Sequence, residues 1–261
     1  MKHVITVLHW LPGQFHDTEH VQFTFIHVIR RRQFEMHPRL LPGNEFASKD
    51  LWHHAKPLVR PHETGYACLI FDDAITGKPY ADENGLTNWH WNHSKGRDEK
   101  GISLLAAFCH SQPVEGQKAL RVPASDECMR KTVRYCEIKT RKEKRQIPVA
   151  KNGMMRAMII RAIEKQHLPF QYVLADSWFS SSGNLLFIHK LKEYFLTDIK
   201  SNRLCMSATA DRNKGRWSSL DKLGITPGQP VKAWMEDLEI PVLLCKRVLT
   251  NKIGGFQSRM E

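Results

Sequence analysis

From Ser48 onward, apolar and polar positions fall into short runs whose period changes from one segment to the next. Ser48 to Arg60 (SKDLWHHAKPLVR) predicts a capped helix: Ser48 or Asp50 can accept from the free N–H groups of the first turn, and Pro57 limits its length. Tyr66 to Phe71 (YACLIF) predicts a strand leading into Asp72-Asp73. Gly101 to Cys109 predicts a second strand, and Lys118 to Ala124 a third. In Lys151 to Gln166 the spacing turns helical, with Met155, Met158, Ile159, Ala162 and Ile163 on one face and Arg156, Arg161 and Lys165 mostly off it. Phe170 to Ala175 predicts a strand that stops at Asp176. Gly183 to Lys192 predicts a helix and Tyr194 to Ile199 another strand. Pro and Gly punctuation then brackets apolar runs at Val231 to Met235 and Ile240 to Leu249.

Residues 1–46 are different. Six of the chain's 14 histidines fall there, and only the VQFTFIHVI stretch alternates like a strand. The opening MKHVITVLHWLPG imitates a signal peptide, but its apolar run carries His9 and ends in Pro12 without a small-residue cleavage site, so export is not expected. The order from residue 48 is an α/β one: strands in a meander, then helices alternating with strands. That is the element order of a ribonuclease H-like mixed sheet flanked by helices, although other α/β domains share it.

Composition narrows the function classes. With 41% hydrophobic residues, the 261-residue chain can bury a sizeable core, which excludes wholesale disorder. No apolar run approaches the ~18–20 residues needed to cross a bilayer, so no membrane partner is expected. The six cysteines are scattered without a C-x-x-C pair, which fits a reducing cytoplasm better than a disulfide framework or a zinc ribbon. The formal net charge of +12 is concentrated. Arg130 to Arg161 holds eleven basic residues against Glu137 and Glu143 alone, a local net charge of +9. The bland reading of such a run is a solvated face. The functional reading is a loop-plus-helix surface facing nucleic acid, where each neutralised phosphate releases counterions. Arg141, Lys142, Lys144, Arg145, Lys151 and Arg156 are its candidate contacts.

Two acids stand at strand ends. Asp72 follows the first core strand and Asp176 the fourth, and neighbouring strands would bring both carboxylates to one sheet edge. Two carboxylates sharing a site repel unless a cation neutralises them. Hard oxygen donors of this kind suit Mg²⁺ or Mn²⁺, and a pair of such ions would activate an attacking oxygen and stabilise a leaving one. Side chains alternate along a strand, so either Asp72 or Asp73 faces the ion; Asp72 is preferred and Asp73 is the alternative. Asp176 also fits a plainer role, as a helix N-cap or Asx turn before SWFSSS.

The remaining constellations are weaker. Trp89, His90, Trp91 and His93 form a cluster ahead of Lys95 and Arg97. A zinc site there would need two more ligands, so a structural turn is expected, with Lys95 and Arg97 as candidate phosphate contacts. Trp178 is either a core residue or a platform for an unpaired base. The chain holds neither a phosphate-binding loop of the Walker type nor a dinucleotide fingerprint, so no nucleotide cofactor is expected.

Leu69 to Leu105 and Tyr172 to Ile188 together resemble the DDE transposases of bacterial insertion sequences. The resemblance continues through KNGMMR (Lys151 to Arg156), IKSNR (Ile199 to Arg203) and WSSLDKLGITPGQPVKAW (Trp217 to Trp234) and covers Ser48 to Asn251. It implies a ribonuclease H-like fold that cuts transposon ends and joins the freed 3′-hydroxyl to target DNA with acids and divalent metal. Carried over, the first acid is Asp72 and the second Asp176, while the third, a Glu on a late helix, has no match among Glu236, Glu239 and Glu261. The expected organisation is a divergent segment over 1–46, an incomplete catalytic core over 47–204, a β-rich insertion over 205–250 and a divergent, truncated tail over 251–261. The expected activity is metal-dependent strand cleavage and transfer, defective for want of that acid. The alternatives are a non-catalytic DNA-binding remnant or another ribonuclease H-like nuclease acting on RNA or hybrids. DNA is the implied partner, a homodimer the implied assembly, and the bacterial cytoplasm, at the nucleoid, the implied location.

Overall fold

The computed structural model describes residues 2–9, 48–60, 67–93, 95–111, 120–207 and 216–249. In chain order its elements are β1 (Lys2–His9), α1 (Ser48–Val59), β2 (Ala67–Gly77), β3 (Asn88–Asn92), β4 (Arg97–Ser111) and β5 (Leu120–Cys128). There follow β6 (Val133–Glu137), β7 (Lys142–Gln146), α2 (Lys151–Glu164), β8 (Phe170–Ala175), α3 (Ser182–Lys190) and β9 (Tyr194–Ile199). The last elements are β10 (Leu204–Met206), β11 (Ser218–Ser219), β12 (Val231–Met235) and β13 (Val242–Leu249).

An 11-stranded sheet in the order β11-β10-β12-β13-β1-β9-β8-β2-β4-β3, with β5 also on β4, carries the fold. Its heart is the meander β2-β4-β5, antiparallel throughout, with β8 parallel to β2 and β9 parallel to β8. This is the mixed sheet of a ribonuclease H-like core, as the element order predicted, with a strand-rich C-terminal part joined to the same sheet. β8, β9 and β12 span the predicted residues. VQFTFIHVI and residues 251–261 lie outside the described residues.

Alternation along β2 sets the two faces. Leu69 and Phe71 join a large core with Ala55 and Val59 of α1, Met155, Met158, Ile159 and Ala162 of α2, and Leu185 and Ile188 of α3. Cys68 and Ile70 point the other way, against Leu174, Leu196 and Leu243. Each large side chain buried in this way contributes ~1.5–3 kcal/mol, which makes the helix-covered face the main source of stability.

The structure departs from the expected pattern in several places. Lys2–His9 is a strand between β9 and β13, pairing antiparallel with both, where the sequence suggested no element. Its run of β-branched and apolar residues suits a strand with neighbours on both sides better than an amphipathic one. The W-H-W cluster forms strand β3 rather than a turn, because it pairs with the long β4 from Asn88↔Gly101 to Asn92↔Arg97. Gly101 permits the close approach of β4 to β2 on its other side: a Cβ there would lie 2.3 Å from the Thr76 carbonyl oxygen. Pro57 lies inside α1, in its last turn, and shortens the helix less than expected. Finally, the basic stretch ahead of α2 is a β-ribbon, β6–β7, rather than a loop.

Candidate active site

β2 does not end at the acids. It runs on to Gly77, paired with β4 throughout, so Asp72 and Asp73 lie inside the strand. The edge facing β8 is what stops: its last register pair is Ile70↔Leu174. Two residues further along the parallel strands stand Asp72 and Asp176, and alternation puts both on the face of Ile70 and Leu174. The expected convergence therefore arises because β8 ends while β2 continues.

Asp73 faces the helices. Lys151 Nζ, at the first residue of α2, donates to its Oδ2 in a half-buried ion pair. Among the described residues no such cation pairs with Asp72. Burial, with the charges of Asp73 and Asp176 added, raises its carboxyl from the usual 3.8 to about 6. Asp176 is also raised, by burial first, although the Trp178 amide and Lys151 pull the other way. Asp72 and Asp176 thus form an acid pair held at an electrostatic cost.

The chain after β8 is shaped to hold Asp176 in place. Its Oδ1 accepts from the Trp178 amide at 2.9 Å, the Asx turn expected as its plainer role. Its carbonyl accepts from Thr197 Oγ1 at 2.9 Å and from the Phe179 amide at 3.1 Å. Behind this turn lies Asn184, 0% exposed, which the sequence gave no reason to single out. Its Nδ2 donates to the Phe179 carbonyl at 2.9 Å and to Asn152 Oδ1 at 3.0 Å, and its Oδ1 accepts from Arg156 Nε at 2.9 Å. One side chain thereby ties α2, α3 and the Asp176 turn together. Arg156, a candidate DNA contact, also lies 5.9 Å from the Phe187 ring and takes part in packing α2 on α3.

Trp178 is 46% exposed, with cations and a ring gathered on it. Lys151 Nζ is 5.8 Å from its ring centroid, Lys200 Nζ 5.6 Å, and the His93 ring 5.1 Å; Trp91 in turn lies 6.4 Å from His93. Sequence spacing missed Lys200 and the contact of His93 with Trp178, since the ends of β3 and β9 meet Trp178 only through the tertiary fold. His90 alternates to the inside of β3, where burial and the charges of Lys131 and Lys151 lower its imidazole to about 4 and keep it neutral at pH 7.

Of the other candidates, Lys95 pairs with Glu99 at 2.7 Å, and Arg97 is exposed at the start of β4. Arg141, Lys142, Lys144 and Arg145 sit on the separate β6–β7 ribbon and its turn. The structure thus groups Asp72, Asp176, Lys151 and Trp178, and it leaves the ribbon residues as a second surface.

Among the described residues, no three His, Cys, Asp or Glu side chains cluster closely enough to form a ready-made metal cage. The chemistry of the acid pair nevertheless fits a hard divalent cation: two carboxylates raised by burial and by neighbouring acids, with no Lys or Arg among the described residues paired to Asp72. Among the described residues no helix is long and apolar enough to cross a membrane. The chain matches no curated protein and no solved structure. It does match the family model of the DDE superfamily endonucleases over residues 28–231, a span that contains Asp72, Asp73 and Asp176. The chain belongs to the DDE superfamily endonuclease family.

Proposed function

We propose that this chain is the catalytic core of a DNA transposase of the insertion-sequence type, in which Asp72 and Asp176 hold Mg²⁺ or Mn²⁺ for strand cleavage and transfer. The observation that carries the reading is the acid pair itself, two carboxylates brought side by side by adjacent parallel strands, both raised by burial. When bound, the cation supplies Lewis-acid stabilisation of charge on the phosphate. The chain's own residues do the rest. The Asx turn and Thr197 fix the Asp176 backbone, the Lys151 pair keeps Asp73 turned away from the ion, and the exposed ring of Trp178 with Lys151 and Lys200 offers a stacking surface beside the acids for an unpaired base. Lys95, Arg97 and the ribbon cations contact DNA phosphates, and a dimer brings two DNA ends together.

The same proposal assigns weak cleavage to the chain on its own, because two carboxylates grip the cations less firmly than the three acids of the complete pattern. Two measurements test this reading. In the first, Mn²⁺ added to metal-free protein raises its melting temperature, and Asp72→Asn or Asp176→Asn removes that rise. In the second, slow nicking of supercoiled DNA in Mn²⁺ is lost in the same variants. Nicking that persists undiminished in both variants would sink the proposal. Cleavage confined to RNA–DNA hybrids would redirect it to a different nuclease.

A further inference from the structure

We infer that the β6–β7 ribbon is a DNA-grasping arm that enters the major groove of B-form duplex beside the acid pair. The inference rests on the proposed DNA-cutting function and adds where and how the uncut duplex is held.

The ribbon is a two-stranded antiparallel sheet that pairs with no other strand among the described residues. Every residue from Val133 to Gln146 is exposed except Glu137 and Arg145, which are partly so. Six basic residues against two acidic ones give Val133 to Gln146 a net charge of +4. Its turn is well defined. The Arg141 amide donates to the Glu137 carbonyl at 2.8 Å, Arg141 takes a left-handed φ of 50°, and Glu137 is bound by both Lys144 and Thr140 at 2.5 Å. An isolated hairpin gains little from its own contacts, so an exposed one kept rigid at the turn is built to meet something else.

Two details point to duplex DNA. The first is Arg134↔Arg145, a pair of guanidinium-bearing residues directly opposite each other across the ribbon. Like charges in that position oppose strand pairing, and a bound polyanion turns the cost into a gain. Glu143 reaches Arg134 only at 3.6 Å and leaves Arg145 uncompensated on that face. The second is apolar exposure between the cations: Ile138 at the turn is 92% exposed and Tyr135 42%. Cations interleaved with apolar side chains suit the edges of a groove and its thymine methyl groups better than a phosphate surface alone. A two-stranded ribbon fits the ~12 Å major groove of B-DNA but not the deep, narrow one of A-form RNA.

The ribbon's roots lie close to the site. On one side the Lys131 amide donates to the Gly85 carbonyl at 2.7 Å, and Lys131 Nζ donates to the Trp89 carbonyl. On the other, β7 leads within a few residues to Lys151, the partner of Asp73. A duplex held on the arm therefore lies next to Asp72 and Asp176.

The test uses the full chain, a labelled DNA duplex and an RNA duplex of the same sequence, without divalent metal. Wild type is expected to prefer the DNA duplex. R134S/R145S is expected to lower its affinity about tenfold and the log–log salt slope by about 1.8, at ~0.9 per phosphate contact, with R134K/R145K keeping the slope. K139S/K142S reports on the same arm from its turn and should act in the same direction. All four side chains pack on no core, so unchanged melting curves verify folding. Equal affinity for DNA and RNA duplexes would overturn groove insertion, and an unchanged salt slope in both serine pairs would overturn the arm. Those failures leave Asp72-dependent nicking intact, whereas failure of the DNA-cutting reading abolishes the dependence of nicking on Asp72 and Asp176.

Discussion

The acid edge and the basic ribbon are both charged, but they hold their charge on opposite terms. Asp72 and Asp176 are partly withdrawn from water, beside each other, and their carboxyls are raised by burial. The ribbon cations stand largely in solvent, on strands that add no side chain to the core clusters, and two of them, Arg134 and Lys144, pair with a local glutamate. A buried like-charge pair costs folding energy whatever else it does, so its presence calls for a ligand. An exposed cation costs almost nothing, so its presence alone says little, and only arrangement, such as two arginines set opposite each other, makes it informative. The comparison makes a definite claim: changes at the acid edge alter stability and chemistry together, and changes on the ribbon alter binding alone.

The largest expected effect is on chemistry. Asp176→Asn keeps the size of the side chain and an oxygen for the Trp178 amide while removing the charge that would hold a cation. Cleavage should fall more than about 100-fold, beyond the 10–100-fold that loss of a mere supporting group costs at a metal site. Nicking of supercoiled DNA in Mn²⁺ measures it. Next comes Asn184→Ala, which leaves the Arg156 guanidinium, Asn152 and the Phe179 carbonyl each short of a partner in a buried place. A loss of about 2–4 kcal/mol in denaturant unfolding is expected, with cleavage impaired through the loosened Asp176 turn.

The third prediction concerns sign. With its carboxyl at about 6 in the fold against 3.8 for the free side chain, Asp72 keeps a proton between pH ~4 and ~6 that the unfolded chain has released. Metal-free stability should therefore decrease as pH rises across that window and stay lower above it. Asp72→Asn removes that contribution, so the variant should be more stable than wild type at pH 8 by about 1–3 kcal/mol while losing cleavage. Melting curves in EDTA at a series of pH values report it. A variant less stable than wild type at pH 8 would show that Asp72 serves the fold and not a ligand.

What was legible in the sequence follows the same division. β8, β9, β12 and the buried face of α2 were readable because continuous apolar runs and a 3.6-residue period leave few alternatives. The acid positions were readable because the apolar runs YACLIF and FQYVLA each stop at an Asp, a local signal, and the strand order places the two runs side by side. Three features were not. Lys2–His9 becomes a strand only because β9 and β13 flank it, a non-local fact. The ribbon hides in a stretch where charge masks the pairing, since Arg, Lys and Glu fill eight of the 14 positions from Val133 to Gln146 and leave only Val133 and Tyr135 as a trace of apolar alternation. Asn184, Lys200 and the contact of His93 with Trp178 matter across the fold, and residue type alone marks none of these contacts.

The smallest effect is the sharpest check on the comparison. Lys144 and Glu137 form the shortest ion pair on the ribbon, at 2.5 Å, and Thr140 joins them. Each charge shifts the other: Glu137 is held below the usual carboxylate range by the hydrogen bond from Lys144, and Lys144 is raised by the one to Glu137. Judged by distance, the pair resembles that of Lys151 with Asp73. On the ribbon, however, Lys144 is exposed and Glu137 partly so, the attraction is screened and fixing two long side chains costs entropy. Lys144→Ala should therefore leave the melting temperature unchanged within measurement, whereas Lys151→Ala, which strands the half-buried Asp73 beside Asp72, should lower it. If the two variants melt alike, burial does not separate the two regions, and the ribbon contributes to the fold as well as to DNA.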